Sequence, residues 1–122
     1  MTVTAKQVIA KIREAAESYP EAKAHCLYWN VITNAPECVV GVALHNLGFT
    51  EADLGRPHLG TADEALAQLG VSGKKIELAW ISVVQAFQDG RLGPPRDWET
   101  AVYEADELLG RILGGLNVGV EQ

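Results

Sequence analysis

Ser72-Gly73-Lys74-Lys75-Ile76-Glu77-Leu78-Ala79-Trp80-Ile81-Ser82-Val83-Val84-Gln85-Ala86-Phe87-Gln88 carries one consistent period. Ile76, Trp80, Val83, Val84 and Phe87 recur every three or four residues, which gathers them on one side of a helix but scatters them over both faces of a strand. Ser72 stands where a hydroxyl accepts from first-turn amides, and Gly90 to Pro95 is loop chemistry. The expected element is a long amphipathic helix over 72–88. Just before it, Thr61 with Glu64 opens a shorter helix with Leu66 and Leu69 inward and Gly70 at its end. Beyond it, Asp97 caps a last helix. Trp98, Ala101, Val102, Ala105, Leu108, Leu109, Ile112 and Leu113 form its broad apolar face, up to Gly114-Gly115.

The first half follows the same grammar. Thr4 and Gln7 have the spacing of a capping box, with Val8, Ile12, Ala15 and Tyr19 at helical spacing until Pro20 stops the run. Asn34 with Glu37, and Pro36 in the first turn, predict a second helix through Val40, Ala43, Leu44 and Leu47 to Gly48. Thr50 with Asp53 predicts a single turn ending at Gly55, and residues 56–60 read as a connector. Between the first two helices, Cys26 to Ile32 is rich in aromatic and β-branched residues, followed by the turn residues Thr33-Asn34-Ala35-Pro36. That pattern predicts a short strand or β-hairpin near 26–33, lying against helices because an isolated strand pair is marginal. The expectation is a mainly α, compact single-domain bundle of unequal helices over 1–122, without internal repeats.

Composition narrows the function. The 122 residues are 48% hydrophobic and 21% charged, as in ordinary globular domains. A net charge of −6 disfavours non-specific binding to nucleic acid or an anionic membrane. Residues 91–122 hold three basic and six acidic side chains, so the last helix is the most negative element. Cys26 and Cys38 form no CxxC pair and no disulfide framework. Met1 to Lys6 lacks the apolar core of a secretory signal, and no run reaches membrane-spanning length. The expected compartment is a reducing cytoplasm.

Rare, versatile side chains crowd residues 25–38. Cys38, expected in the first turn of the second helix, would have its thiolate favoured by unpaired amides and the helix dipole. Free cysteine is also among the most buried residue types. A metal held by His25, Cys26, Cys38 and His45 is disfavoured. Cys38 and His45 are seven residues apart along a helix, roughly 10 Å, and His25 and Cys26 would point to opposite strand faces. No cofactor, hydrolase or nucleotide signature occurs. Residues 61–80 have the outline of a helix-turn-helix, with Ser72, Lys74 and Lys75 at the start of the second helix. The continuation Ile76-Glu77-Leu78-Ala79-Trp80-Ile81 is too apolar for a base-reading face.

Cys26-x-Tyr28, then Pro36-x-Cys38-x-Val40-Gly41-x-Ala43-Leu44-x-x-Leu47-Gly48, resembles small uncharacterised proteins of actinobacteria and their phages. Gln85-x-x-Gln88-Asp89-Gly90 and Trp98-x-x-Ala101-Val102 are similar to the second half of such chains. The resemblance implies a phage or prophage accessory protein in a host cytoplasm, and brings no catalytic residues. Gly41 within a helix suggests close approach by another backbone or ring, with Trp29 or Tyr28 as candidates.

The preferred expectation is a binding module for a host or phage protein. It would use a helix face or the 26–38 corner, with Tyr28, Trp29, Cys38, Gln85, Gln88, Asp89 and Trp98 as candidate contacts. Three tryptophans and three tyrosines are available as interface anchors. Gln85, Gln88 and Asp89 have a structural alternative, bracing the Gly90–Pro95 loop. A DNA-binding regulator using 61–80 and a thiol or small-ligand site at Cys38 are the alternatives, and homo-oligomerisation stays open.

Overall fold

The structure, a computed structural model, describes residues 2–23, 28–55 and 61–112, with backbone only at 111 and 112. These residues form α1 (Ala5–Ser18), α2 (Val39–Asn46), α3 (Glu51–Leu54), α4 (Ala62–Gln68), α5 (Lys75–Asp89) and α6 (Trp98–Ile112). The chain is mainly helical, as the apolar periods predict. α5 is the hub: it touches α1, α2, α4 and α6, while α1 packs most extensively on α2.

The hub position explains the burial of α5. Trp80, Ile81 and Val84 are fully enclosed and Phe87 is buried, while Ile76 and Val83 are only partly covered. Neighbours on several sides also bury Glu77, Gln85 and Gln88, which a one-sided stripe leaves in water. Ile9 and Ile12 of α1, Leu44 of α2 and Leu66 of α4 complete the core around Trp80.

One polar clamp lies within this packing. Both terminal nitrogens of the Arg13 guanidinium donate to the Asp106 carboxylate at 2.8 Å. Trp80 Nε1 donates to the same carboxylate at 3.0 Å, and the guanidinium carbon lies 4.7 Å above the Trp80 ring. A planar guanidinium suits both roles, because it donates two parallel hydrogen bonds and stacks on an aromatic face. α1, α5 and α6 are thereby joined through one side chain each.

Several helix ends match their sequence signals. Thr4 and Gln7 make the reciprocal capping box, as do Thr50 and Asp53. Asp97 Oδ1 accepts from the Thr100 amide at 2.8 Å. Gly90 ends α5 at φ +81°, and a Cβ there would lie 2.8 Å from Pro95 Cγ, so both conformation and space call for glycine. The Gly114-Gly115 stop expected for the last helix lies outside the described residues.

Other ends differ, for local reasons. The long helix begins at Lys75, not at Ser72, because the Ser72 backbone pairs in parallel with the N-terminal segment. Ala5 N donates to Ser72 O at 2.7 Å and Ser72 N to Val3 O at 3.3 Å. Glu77 Oε1 instead accepts the Lys74 amide at 2.9 Å. Thr61 accepts no amide, and its single hydroxyl hydrogen is shared between the Asp63 and Glu64 carboxylates, each 2.7 Å away. The second helix begins at Val39 with Cys38 as its cap, not with Asn34. Asn34 has φ +55°, a left-handed conformation that asparagine tolerates, and Glu37 bonds to Asn30 rather than to the Asn34 amide region. The short strand or hairpin expected near 26–33 is not present over 28–33. Those residues enter a turn closed by a single antiparallel bridge, Asn30 to Ala35, and residues 26–27 lie outside the described set.

Replacing Asp106 by Ala leaves a guanidinium and an indole N–H without their shared acceptor. Urea unfolding is expected to show a loss of about 2–4 kcal/mol. The Asp97 carboxyl is held below the ordinary Asp value, first by its side-chain hydrogen bond with Thr100, then by the Thr100 amide. A lowered native pKa stabilises the fold above the unfolded-state value, and that contribution fades as pH falls through the native one. Asp97→Ala is therefore expected to cost about 1 kcal/mol near neutrality. The gap to the parent should narrow below roughly pH 4 in pH-resolved thermal melts.

Candidate functional site

The chain between α1 and α2 makes a six-residue closed turn. Asn30 N donates to Ala35 O at 2.8 Å and Ala35 N returns to Asn30 O at 3.3 Å. The Asn30 side-chain oxygen accepts the amides of Ile32 at 2.9 Å and Thr33 at 3.3 Å, an Asx turn that replaces a strand ladder. Its amide nitrogen donates to Glu37 Oε2 at 2.9 Å, tying the turn to the approach of α2. The tip displays Val31 at 75% and Ile32 at 91% exposure.

Beneath the tip, the residues around α2 are tightly fitted. An added Cβ at Gly41 would stand 2.5 Å from the Tyr28 carbonyl oxygen, so the Tyr28 backbone runs directly over α2. Trp29 is partly buried and meets His45 edge-on at 5.4 Å; its Nε1 is buried with no acceptor among the described residues. Cys38 is fully buried, and its sulfur accepts the Gly41 amide at 3.3 Å.

The N-terminus of α2 points into protein, so its amides need partners. Gln88 Oε1, from the last turn of α5, accepts the Val39 amide at 2.8 Å. Gln88 Nε2 donates to Asp89 Oδ1 at 2.9 Å, and Gln85 Nε2 reaches the same carboxylate at 3.3 Å. Arg91 supplies the counter-charge at 3.3 Å to an Asp89 side chain only 3% exposed. Gln85 Oε1 is buried without a hydrogen-bond partner among the described residues. This cluster braces α2 and the start of the Gly90 loop.

The predicted contact residues therefore split. Tyr28 and Cys38 meet the N-terminal half of α2 at Gly41, while Trp29 lies against His45 in its last turn. Gln88 reaches the start of α2 through the Val39 amide, with Gln85 and Asp89 linked behind it. Trp98 belongs elsewhere: it is buried, its ring meets Tyr19 edge-on at 6.3 Å, and its backbone N donates to Ala22 O at 3.0 Å. Of the helix-turn-helix candidates, Ser72 is held by its backbone pairing with Val3 and Ala5, Lys74 is the cap of α5, and Lys75 is exposed at one edge of a groove with Asp63, Leu78 and Ser82. Arg91 and Arg96 are paired with Asp89 and Glu104, and so add no uncompensated charge to Lys74 and Lys75.

By their side chains Val31 and Ile32 belong to the strand that the sequence predicts. The pair of asparagines bracketing them, at 30 and 34, is the available signal of a turn, since asparagine accepts local amides and adopts positive φ. Among the described residues, no group of three His, Cys, Asp or Glu side chains is placed to hold a metal ion, and no helix is long and apolar enough to cross a membrane. Compared with known proteins, the chain matches no family model, no curated protein and no solved structure.

Gly41→Ala is expected to cost about 1–3 kcal/mol by forcing the Tyr28 carbonyl away from α2. Gln88→Leu should cost a similar amount, about 1–3 kcal/mol, by stranding the Val39 amide. Denaturant titration checks both, and amide hydrogen exchange at Val39 should rise in the second variant.

Proposed function

We infer that this chain is a small protein-binding module of the phage or prophage accessory kind, acting in a bacterial host cytoplasm, and that the 30–35 turn is its contact element. One observation carries the reading: two adjacent aliphatic side chains stand largely in water on a turn held by backbone and side-chain hydrogen bonds. Scattered exposed apolar residues are ordinary on monomers. An Asx turn, a backbone bridge and the Asn30–Glu37 bond all fix the direction of Val31 and Ile32. Fixing them before binding removes much of the ordering cost that a loose loop pays on association.

Such a tip fits an apolar pocket on a partner protein, with Trp29 and His45 forming the shoulder beside it. The resemblance to actinobacterial and phage proteins supplies the accessory context. The regulator reading draws on residues 61–80, but the second helix of that pair is α5, whose Trp80 and Ile81 are fully buried. A recognition helix needs an open face for bases. The thiol reading at Cys38 meets a sulfur that is buried and already accepting an amide.

Val31→Asp combined with Ile32→Asp is expected to change stability by less than about 0.5 kcal/mol, because both side chains are exposed. Affinity capture from the natural host with the tagged parent should retain a stoichiometric protein that the double variant loses. Leu92→Asp, an exposed apolar site elsewhere, should retain it. A partner held equally by the tip variant, or none at all, rejects the assignment.

A further inference from the structure

A groove of about 280 Å³ runs between α1 and α6, lined by Arg13, Ala16, Glu17, Glu99 and Val102. Arg13, Ala16 and Glu17 share one face of α1, and Glu99 and Val102 share one face of α6, by helical spacing. Its apolar floor is Ala16 and Val102. The guanidinium in it is committed to Asp106 and stacked on Trp80.

The two carboxylates at its rim are unengaged. Among the described acidic residues, only Glu17, Glu21, Glu51 and Glu99 make no ion pair or side-chain hydrogen bond. Three of these belong to one corner. Glu17 and Glu99 line the groove, and Glu21 follows Pro20, whose carbonyl accepts the Glu99 amide at 3.1 Å. Glu17 also lies in the last turn of α1, where the helix dipole disfavours an acid and no basic side chain offsets it. The walls are held firmly: Asp97 caps α6, and the Trp98 and Glu99 amides are tied to the carbonyls of Ala22 and Pro20.

The geometry points to a second docking surface, taking a cationic amphipathic helix of a partner protein. Its small apolar side chains would lie on Ala16 and Val102, and its Lys or Arg side chains would reach Glu17, Glu21 and Glu99. Tyr103, 61% exposed and one turn beyond Glu99, offers a ring face to one of those cations. A helix laid along a groove between two helices presents apolar residues at i, i+3, i+4 and i+7. Unpaired carboxylates beside an apolar floor, on a chain of net charge −6, are complementary to an occupant that brings positive charge.

The full chain, isotope-labelled, is titrated by NMR with a synthetic helical peptide carrying a Leu/Ala ridge and Lys flanks. Shifts should centre on Ala16, Glu17, Glu99 and Val102, and binding should weaken as salt is raised. Glu17→Lys with Glu99→Lys, at exposed positions without partners, should lower affinity about tenfold or more with an unchanged circular dichroism spectrum. Glu51→Lys should leave it unchanged. Replacing the ridge leucines by serine should also weaken binding about tenfold. No binding, shifts spread over unrelated acids, equal loss with Glu51→Lys, equal binding of the serine peptide, or self-association that covers the groove each overturns the proposal. The Val31/Ile32 tip variant should bind the peptide normally, which separates this surface from the one proposed above.

Discussion

The Asp106 carboxylate accepts from both ends of the Arg13 guanidinium and from the Trp80 indole, so one acid of α6 fixes α1 and α5 together. Trp80 is the largest enclosed side chain, and its single polar atom has to find an acceptor where water does not reach. Only one rotation of α5 aims that nitrogen at Asp106 while Ile81, Val84 and Phe87 remain inside. The clamp therefore converts a non-directional preference for burial into a definite orientation of the central helix. Once α5 is so oriented, Gln85 and Gln88 are carried inward at its far end, and the start of α2 finds its acceptor.

That far end shows how a polar core supports an exposed element. Gln88 satisfies the Val39 amide, Cys38 satisfies the Gly41 amide, and Asp89 gathers both glutamines and Arg91. Buried polar groups stabilise only when most of their bonding capacity is filled. Here they hold the first turn of α2 in place, and the Asn30–Glu37 bond extends the same order to the turn above. The 30–35 tip is consequently displayed by the bundle rather than left hanging from it.

Local rules that act within four residues were readable from the sequence. The Thr4–Gln7 and Thr50–Asp53 boxes, the Asp97 cap and the Gly90 stop need no knowledge of the rest of the chain. The close approach at Gly41 was also readable, because glycine inside a helix asks for a neighbour, and the neighbour is Tyr28. What escaped depends on distant partners. Ser72 leaves its capping role because the N-terminal segment pairs with its backbone. Gln85 and Gln88 look like surface residues until α2 arrives over them. The aliphatic pair at 31–32 has strand-like side chains, but the asparagines on either side outcompete a ladder with their own hydrogen bonds. The acids of the α1–α6 groove could not be told from the paired acids of the other helix faces, since pairing depends on which cations the fold brings near.

The closeness of Tyr28 to Gly41 has a consequence for how such a surface diversifies. The segment from 28 to 38 is anchored at its entry by a backbone crossing and at its exit by a helix cap, so its ends stay together whatever the apex contains. Residues 31–33 lend almost nothing to the interior. The apex side chains can therefore be exchanged while the scaffold below tolerates it, so long as position 41 stays without a side chain.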